Sequence, residues 1–261
     1  MTTLAAFTLA RLATAAPEVR HAFFTREDGI SEGLFRSLNC GFGSGDAVDR
    51  VMRNRAIAMD RLGATADRLL TCRQVHGTSV VIVERGWRHD KAPAADGMVS
   101  RVPGLVLGIL TADCAPVLLH DPAARIVAAA HAGWRGAFSG VVEATVAQME
   151  ALGARRGRIR AGIGPCIGRA SYEVGPEFPG PILAQNPAAR AYFNPARRAG
   201  HFLFDLAGYV EHRLRATGVA TVQRVTADTV AGEERFFSYR RACLRGETGY
   251  GRMLSAIMLD R

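Results

Sequence analysis

Lysine is nearly absent from this chain of 261 residues: Lys91 is the only one among 33 lysines and arginines. The formal net charge is +9, yet the arginines are scattered beside many alanines, with nothing denser than short pairs such as Arg155-Arg156. No aromatic interleaving accompanies them, which argues against the basic stripes and stacking platforms of a nucleic-acid binder. Cysteine is scarce as well. Cys40, Cys72, Cys114, Cys166 and Cys243 are an odd number with no CxxC pair, so they do not form the disulfide framework of a small secreted protein. No apolar run approaches the ~20 residues that a membrane-spanning helix needs. The N-terminal twenty residues contain ATAAP but no basic n-region, and Arg11 interrupts their apolar stretch, so they do not read as a secretion signal. The expected compartment is a reducing cytoplasm, with neither membrane nor nucleic acid as a partner. Finally, there are 7 histidines and no H-x-H pair, which excludes the several copper sites of a multicopper oxidase.

What is present is apolar sequence, 48% of the chain, enough for one large core or two smaller ones. Its densest part is 104–136. GLVLGIL (104–110), APVLLH (115–120) and RIVAAAH (125–131) have the length and Val/Ile/Leu content of buried strands, and DPAA makes a turn between the last two. Strands joined in this way run side by side, which brings Cys114 towards His131. HAGWRG then opens a helix with Val141, Val142, Thr145, Met149 and Leu152 on its apolar face, ending at Gly153. Gly133, Gly136 and Arg135 at that strand-to-helix junction favour an anionic group, although a tight turn with a surface arginine has the same appearance.

Elsewhere, 21–31 reads as a strand running into a turn at Asp28-Gly29, and SLNCGFGSGD (37–46) as a glycine-rich loop. Residues 47–62 read as an amphipathic helix capped by Asp46 and closed by Gly63. The stretch 68–84 is strand-like on both sides of His76, where a lone histidine is ordinarily a hydrogen-bonded core residue. RIRAGIGPCIG (158–168) is a strand followed by a loop, either a tight crossing or a pocket wall. Segments 171–185 and 201–218 have helical periodicity, with Phe202 on the apolar face of the second; TVQRVTADT and MLSAIML read as strands. No fixed-period repeat or low-complexity linker divides the chain, so a single domain over 1–261 is expected.

Two imidazoles and a thiolate are the usual ligands of a catalytic zinc, leaving the fourth tetrahedral position for water or substrate. His76, Cys114 and His131 are the combination favoured here, each beside a strand end or a glycine, although positions 76, 114 and 131 match no compact zinc-finger spacing. The same residues permit a thiol hydrolase, with His131 as base to Cys114 and either Asp113 or a distant group orienting the imidazole. They also permit a blue-copper site, since two histidines and a cysteine are its ligands.

Taken together, QVHG (74–77), ADG (95–97), TADCAPVLLHD (111–121), AAAHAGWRG (128–136), GIGPCIG (162–168) and YEVG (172–175) resemble the laccase-domain family, also named multicopper polyphenol oxidases, whose members have been reassigned as zinc-containing purine nucleoside phosphorylases. The resemblance runs from HAFFTREDGISEGLFRSLN to the GYGRM tail. It implies an α+β fold, a four-layer α/β/β/α sandwich with mixed sheets. It also implies a zinc ion on His76, Cys114 and His131. The implied activity is phosphorolysis of adenosine, inosine, guanosine and methylthioadenosine, together with adenosine deaminase activity. A fold-level likeness to cysteine hydrolases keeps a Cys-His amidohydrolase, acting on a peptide or amide, as the alternative. Phosphorolysis requires phosphate to be held against the ribose while the purine departs; Arg135, Arg55 and Asn39 are the candidates for that anion. Deamination requires a proton shuttle, for which Asp113 is the candidate.

Overall fold

The computed structural model describes residues 6–9 and 19–260. The reading of the first twenty residues as no leader falls almost wholly outside them. Fourteen strands are present among the described residues: β1 (Ala6–Phe7), β2 (Val19–Phe24), β3 (Leu69–Thr71), β4 (Val80–Ile82), β5 (Gly97–Ser100), β6 (Val106–Thr111), β7 (Ala115–Asp121), β8 (Ile126–Ala132), β9 (Arg160–Ile163), β10 (Glu173–Val174), β11 (Phe193–Pro195), β12 (Phe202–Phe204), β13 (Thr221–Arg224) and β14 (Met253–Leu259). The α-helices are α1 (Val48–Leu62), α2 (Trp134–Ser139), α3 (Val141–Ala151), α4 (Pro179–Gln185), α5 (Leu206–Ala216) and α6 (Tyr239–Arg245). One mixed sheet runs β1-β2-β14-β6-β3 and a second β13-β9-β7-β8-β5-β4; β10, β12 and β11 form a small third sheet.

The period of two along each strand assigns its side chains to layers. In β7, Leu118 faces the first sheet while Val117 and Leu119 face the helices; in β8, Val127 and Ala129 face the first sheet while Ala128 and Ala130 do not. In β14, Ile257 and Leu259 point into the gap between the sheets, and Leu254, Ala256 and Met258 point towards α1. Strands covered on both faces cannot alternate apolar with polar, which explains their continuous apolar sequence. Three apolar layers result. One lies between α1 and the first sheet, one between the two sheets, and one between the second sheet and α2, α3 and α5. The α+β fold with mixed sheets is as expected, in four layers.

Several local expectations are corrected. His76 is not inside a strand: β3 stops at Thr71, β4 begins at Val80, and His76 sits in the loop between them at φ 58°. Asp46 does not cap α1, because its carboxylate receives Ser31 Oγ, Asn39 Nδ2 and the Ala47 N–H instead. Phe202 lies in β12, since the polar Asp205, whose side chain accepts the Gly208 N–H, starts α5 only at Leu206. Of 171–185, only Pro179–Gln185 is α-helical. The 162–168 loop meets both of its readings: it is a tight crossing at Gly164, where a Cβ would come within 2.2 Å of Phe23 and 2.8 Å of Pro116, and Ile167 lines a cavity.

The layer between the sheets also holds His21, whose Nε2 accepts the Leu9 N–H at 2.9 Å. Burial, and secondarily the field of His120, lower its pKa from 6.5 to about 4. The unfolded chain therefore takes up this proton first as the pH falls, so the stabilisation is present above pH 6.5 and is lost towards pH 4. Denaturant midpoints should fall across that window in the wild type and less so in His21→Gln, which keeps an acceptor; parallel profiles would refute the assignment. Truncating Leu118 to alanine in the same layer should cost about 2–5 kcal/mol in chemical denaturation.

Candidate metal centre

The site forms where the two sheets exchange the chain. β6 belongs to the first sheet and β7 to the second, so Ala112, Asp113 and Cys114 are the crossing between them. Asp113 makes the turn at φ 88°, a left-handed conformation that costs a non-glycine residue energy and that concentrates at functional sites. The antiparallel register of β7 with β8 pairs Ala115 with Ala132 and Pro116 with His131, which sets Cys114 beside His131. The loop carrying His76 closes over both. One nitrogen of each histidine and the Cys114 sulfur all lie within 4.8 Å of one another, the only such ligand group among the described residues that includes a cysteine or histidine cluster of this kind. The two imidazole rings meet edge to face at 4.7 Å between centroids.

Gly133, following β8, leaves the space the trio needs: a Cβ there would lie 2.8 Å from His76 Nδ1 and 2.9 Å from Cys114 Sγ. Substitution by any other residue pushes two of the three groups apart.

The residue that assembles the trio is Asp96, just ahead of β5 and fully buried. Its carboxylate accepts the backbone N–H groups of Val75 (3.2 Å), His76 (3.0 Å) and Gly77 (2.7 Å), and Oδ1 lies 2.8 Å from His131 Nδ1. One side chain thus fixes the loop bearing one imidazole and the orientation of the other. Burial by itself would raise this carboxyl; the bonds from His131 and Gly77 outweigh it and hold it below the usual carboxylate range. With Nδ1 engaged, His131 turns Nε2 towards Cys114. Burial disfavours charging His131, but a negative Cys114 sulfur and Asp96 prevail and raise it to about 9. His76 moves the other way, lowered chiefly by burial and then by His131. Neutral imidazoles and a thiolate are the forms that bind a metal, so a bound cation would displace a proton from this site.

Beside the trio opens a cavity of about 740 Å³, within the range of small-molecule sites. Its walls carry Arg73, Arg135, Arg240 and Arg252, with Trp134, Tyr172, Tyr239 and Tyr250. The Tyr239 and Tyr250 rings lie 5.2 Å apart, and the Arg240 guanidinium stands 5.4 Å from the Tyr172 ring.

Of the sequence candidates, His76, Cys114 and His131 are brought together and Arg135 lines the cavity with them. Arg55 and Asn39 are not on its wall. Arg55 is buried, its Nε donating to the Cys40 carbonyl at 2.8 Å and its guanidinium lying 4.2 Å from the Phe42 ring. Asn39 is buried too, its Oδ1 accepting the N–H groups of Gly41 and Arg252. Asp113 lines the cavity, but its carboxylate accepts Thr229 Oγ1 (2.6 Å), Ser238 Oγ (2.9 Å) and the Arg240 N–H (2.6 Å). The bonds from Ser238 and Arg240 tie down the start of α6. The orienting partner of His131 is the distant group, Asp96, and not Asp113. Asp96, Arg240 and Arg252 were missed; the signal for Asp96 was an aspartate set directly before an otherwise apolar strand.

Residues 20–260 match the family described as multi-copper polyphenol oxidoreductase laccase. The chain belongs to this family. It is 40% identical to a purine nucleoside phosphorylase of Deinococcus radiodurans, over 93% of this chain and 90% of that one, and 37% identical to one of Pseudomonas aeruginosa, over 89% and 92%. Among solved structures it superimposes on a Neisseria meningitidis protein with TM-score 0.87 at 35% identity, covering 98% of this chain and all of the other. It also superimposes on Geobacillus stearothermophilus YlmD with TM-score 0.81 at 28% identity, covering 98% of this chain and 99% of the other. No helix of the described residues is long and apolar enough to cross a membrane.

Asp96→Asn keeps the shape of the side chain but exchanges an acceptor for a donor, and Gly133→Ala intrudes between two ligands. Both variants should bind a divalent metal ion about 10–100-fold more weakly in chelator competition than the parent. Unchanged affinity in both would remove Asp96 and Gly133 from the site.

Proposed function

We propose that the chain is a zinc-dependent purine nucleoside phosphorylase, acting on adenosine, inosine, guanosine and methylthioadenosine, with adenosine deaminase activity. The observation that carries this reading is the juxtaposition of His76, Cys114 and His131 with a cavity walled by arginines and aromatic rings. The donor set, two imidazoles and a sulfur, suits zinc with one position left open. His76, Cys114 and His131 would hold it. When bound, zinc supplies Lewis acidity at that open position, which is what attack on C6 of adenine demands.

The remaining work falls to the chain's own side chains. In phosphorolysis the sugar passes through an oxocarbenium-like state as the base departs, so the protein contributes by positioning the anion and excluding water. Arg135 is the candidate for phosphate, through the paired hydrogen bonds of its guanidinium fork. Arg240 joins it from the same cavity wall, its guanidinium 5.4 Å from the Tyr172 ring. The rings of Trp134, Tyr172, Tyr239 and Tyr250 offer faces to the purine. Asp113 has no proton-transfer role in this scheme; it fixes Arg240 through its backbone N–H.

One observation favours a second reading. Asp96, His131 and Cys114 stand in the order of a catalytic triad, with the carboxylate on Nδ1 and the sulfur on the Nε2 side. A Cys-His amidohydrolase acting on a peptide or amide would use that order and would need Cys114 free of metal. In such an enzyme His76 has no function.

Purified protein should contain zinc at about one ion per chain and release hypoxanthine from inosine only when phosphate is supplied. Cys114→Ala should lose the zinc and the activity together. Phosphate-independent release would mean a hydrolase, and metal-free protein cleaving amides would favour the triad.

A further inference from the structure

Four arginines line the cavity, and among the described residues none of the four lies in an ion pair. Other arginines of the chain do find carboxylates, among them Arg88 on Asp90, Arg156 on Glu150 and Arg245 on Glu233. The one carboxylate on the wall, Asp113, is already taken by three donors. Four cations around one cavity exceed what a single phosphate, at about −1.5 to −2, neutralises.

The four divide by the layers that carry them. Arg135 lies in the first turn of α2 on the helical side, and Arg240 in the first turn of α6, its guanidinium 5.4 Å from the Tyr172 ring. Arg73 and Arg252 flank strands of the first sheet. Arg73 follows β3 and Arg252 directly precedes β14; these strands flank β6, β3 parallel and β14 antiparallel to it. Both arginines therefore emerge at the same end of the sheet, on strands roughly 10 Å apart.

Arg252 is built into place. Its guanidinium stands 5.3 Å from the Tyr250 ring, and its side chain runs so close to Gly41 that a Cβ there would meet Cβ, Cδ and Nη1 at 3.2 Å. Asn39 Oδ1 fixes its backbone N–H at 2.9 Å. The glycine-rich loop 37–46 thus has a purpose: it makes room for a half-buried guanidinium whose fork no carboxylate of the described residues occupies.

Resting on the phosphorylase reading above, we propose that Arg252 and Arg73 form a second anion subsite, which takes the phosphomonoester of a purine nucleotide while Arg135 and Arg240 serve the reacting phosphate. Two guanidinium forks present paired donors to a phosphoryl group, which a neutral nucleoside cannot use. The substrate class widens from nucleosides to nucleoside monophosphates.

The test is calorimetric binding to the zinc-loaded full chain in phosphate-free buffer, with inosine, inosine 5′-monophosphate and inorganic phosphate as probes. The nucleotide should bind at least about tenfold more tightly than the nucleoside. That preference should shrink in Arg252→Met and Arg73→Met, survive in part in Arg252→Lys, and weaken with added salt. Arg73 is exposed and packs against no ring, so its variant keeps the test readable should Arg252→Met fail to fold. Equal affinities for nucleoside and nucleotide overturn the subsite, as does a preference that both variants retain. Inorganic phosphate bound through Arg252, with no preference for the nucleotide, would make the subsite one for free phosphate and also overturn the proposal. Hypoxanthine release from inosine and phosphate is scored separately: its absence removes the phosphorylase reading, whereas the binding comparison judges the subsite alone.

Discussion

The Asp96 carboxylate is the constraint on which the site depends. His76, Cys114 and His131 come from a loop, a sheet-to-sheet crossing and a strand end, and no local sequence feature holds the loop to the strand. Asp96 does so by accepting three consecutive backbone N–H groups and the His131 imidazole. A buried carboxylate is costly unless its oxygens are satisfied, and here every donor that satisfies it is also one that the site needs positioned. Stability and preorganisation therefore draw on the same four bonds.

Around that hub the fold supplies a rigid frame. The crossing from β6 to β7 and the exit of β8 lie at the ends of interior strands of two sheets pressed together through an apolar layer, so Cys114 and His131 ride on buried strands. His76, in contrast, sits on an exposed loop, held by the Asp96 carboxylate and by Gln74, whose side-chain amide pairs with the Leu110 backbone at 2.8 and 2.9 Å. Gly133 completes the frame by absence of a side chain. On the far side, Asp113 ties the start of α6 to the same crossing, which couples Arg240 to the position of Cys114.

Much of this was legible in the sequence where local periodicity and strand pairing decide the outcome. The runs at 104–110, 115–120 and 125–131 became β6, β7 and β8 within one or two residues, and their antiparallel pairing put Cys114 beside His131 as expected. The four layers could not be read from periodicity, because strands apolar on both faces look alike wherever they sit; the family resemblance supplied them. His76 was misplaced because Val75 and the valines at 80, 81 and 83 mimic a continuous strand, while the chain turns at 72–79 to meet Asp96. In the sequence Arg55 and Asn39 are polar residues in and beside the helix read over 47–62. Burial gave them packing roles, and Asn39 reaches the cavity only through the backbone of Arg252. Tertiary contacts bring the C-terminal segment to the site: Arg252 stands in the GYGRM tail, where the sequence gives it no role, and no motif marks Arg240.

The central claim is that Cys114, His76 and His131 share one zinc ion, and X-ray absorption at the zinc edge of the purified protein tests it most directly. The spectrum should fit one sulfur at about 2.3 Å with nitrogen neighbours at about 2.0–2.1 Å, and the sulfur shell should vanish in Cys114→Ala. A coordination shell without sulfur in the parent protein, or a sulfur shell that persists in the variant, would contradict it.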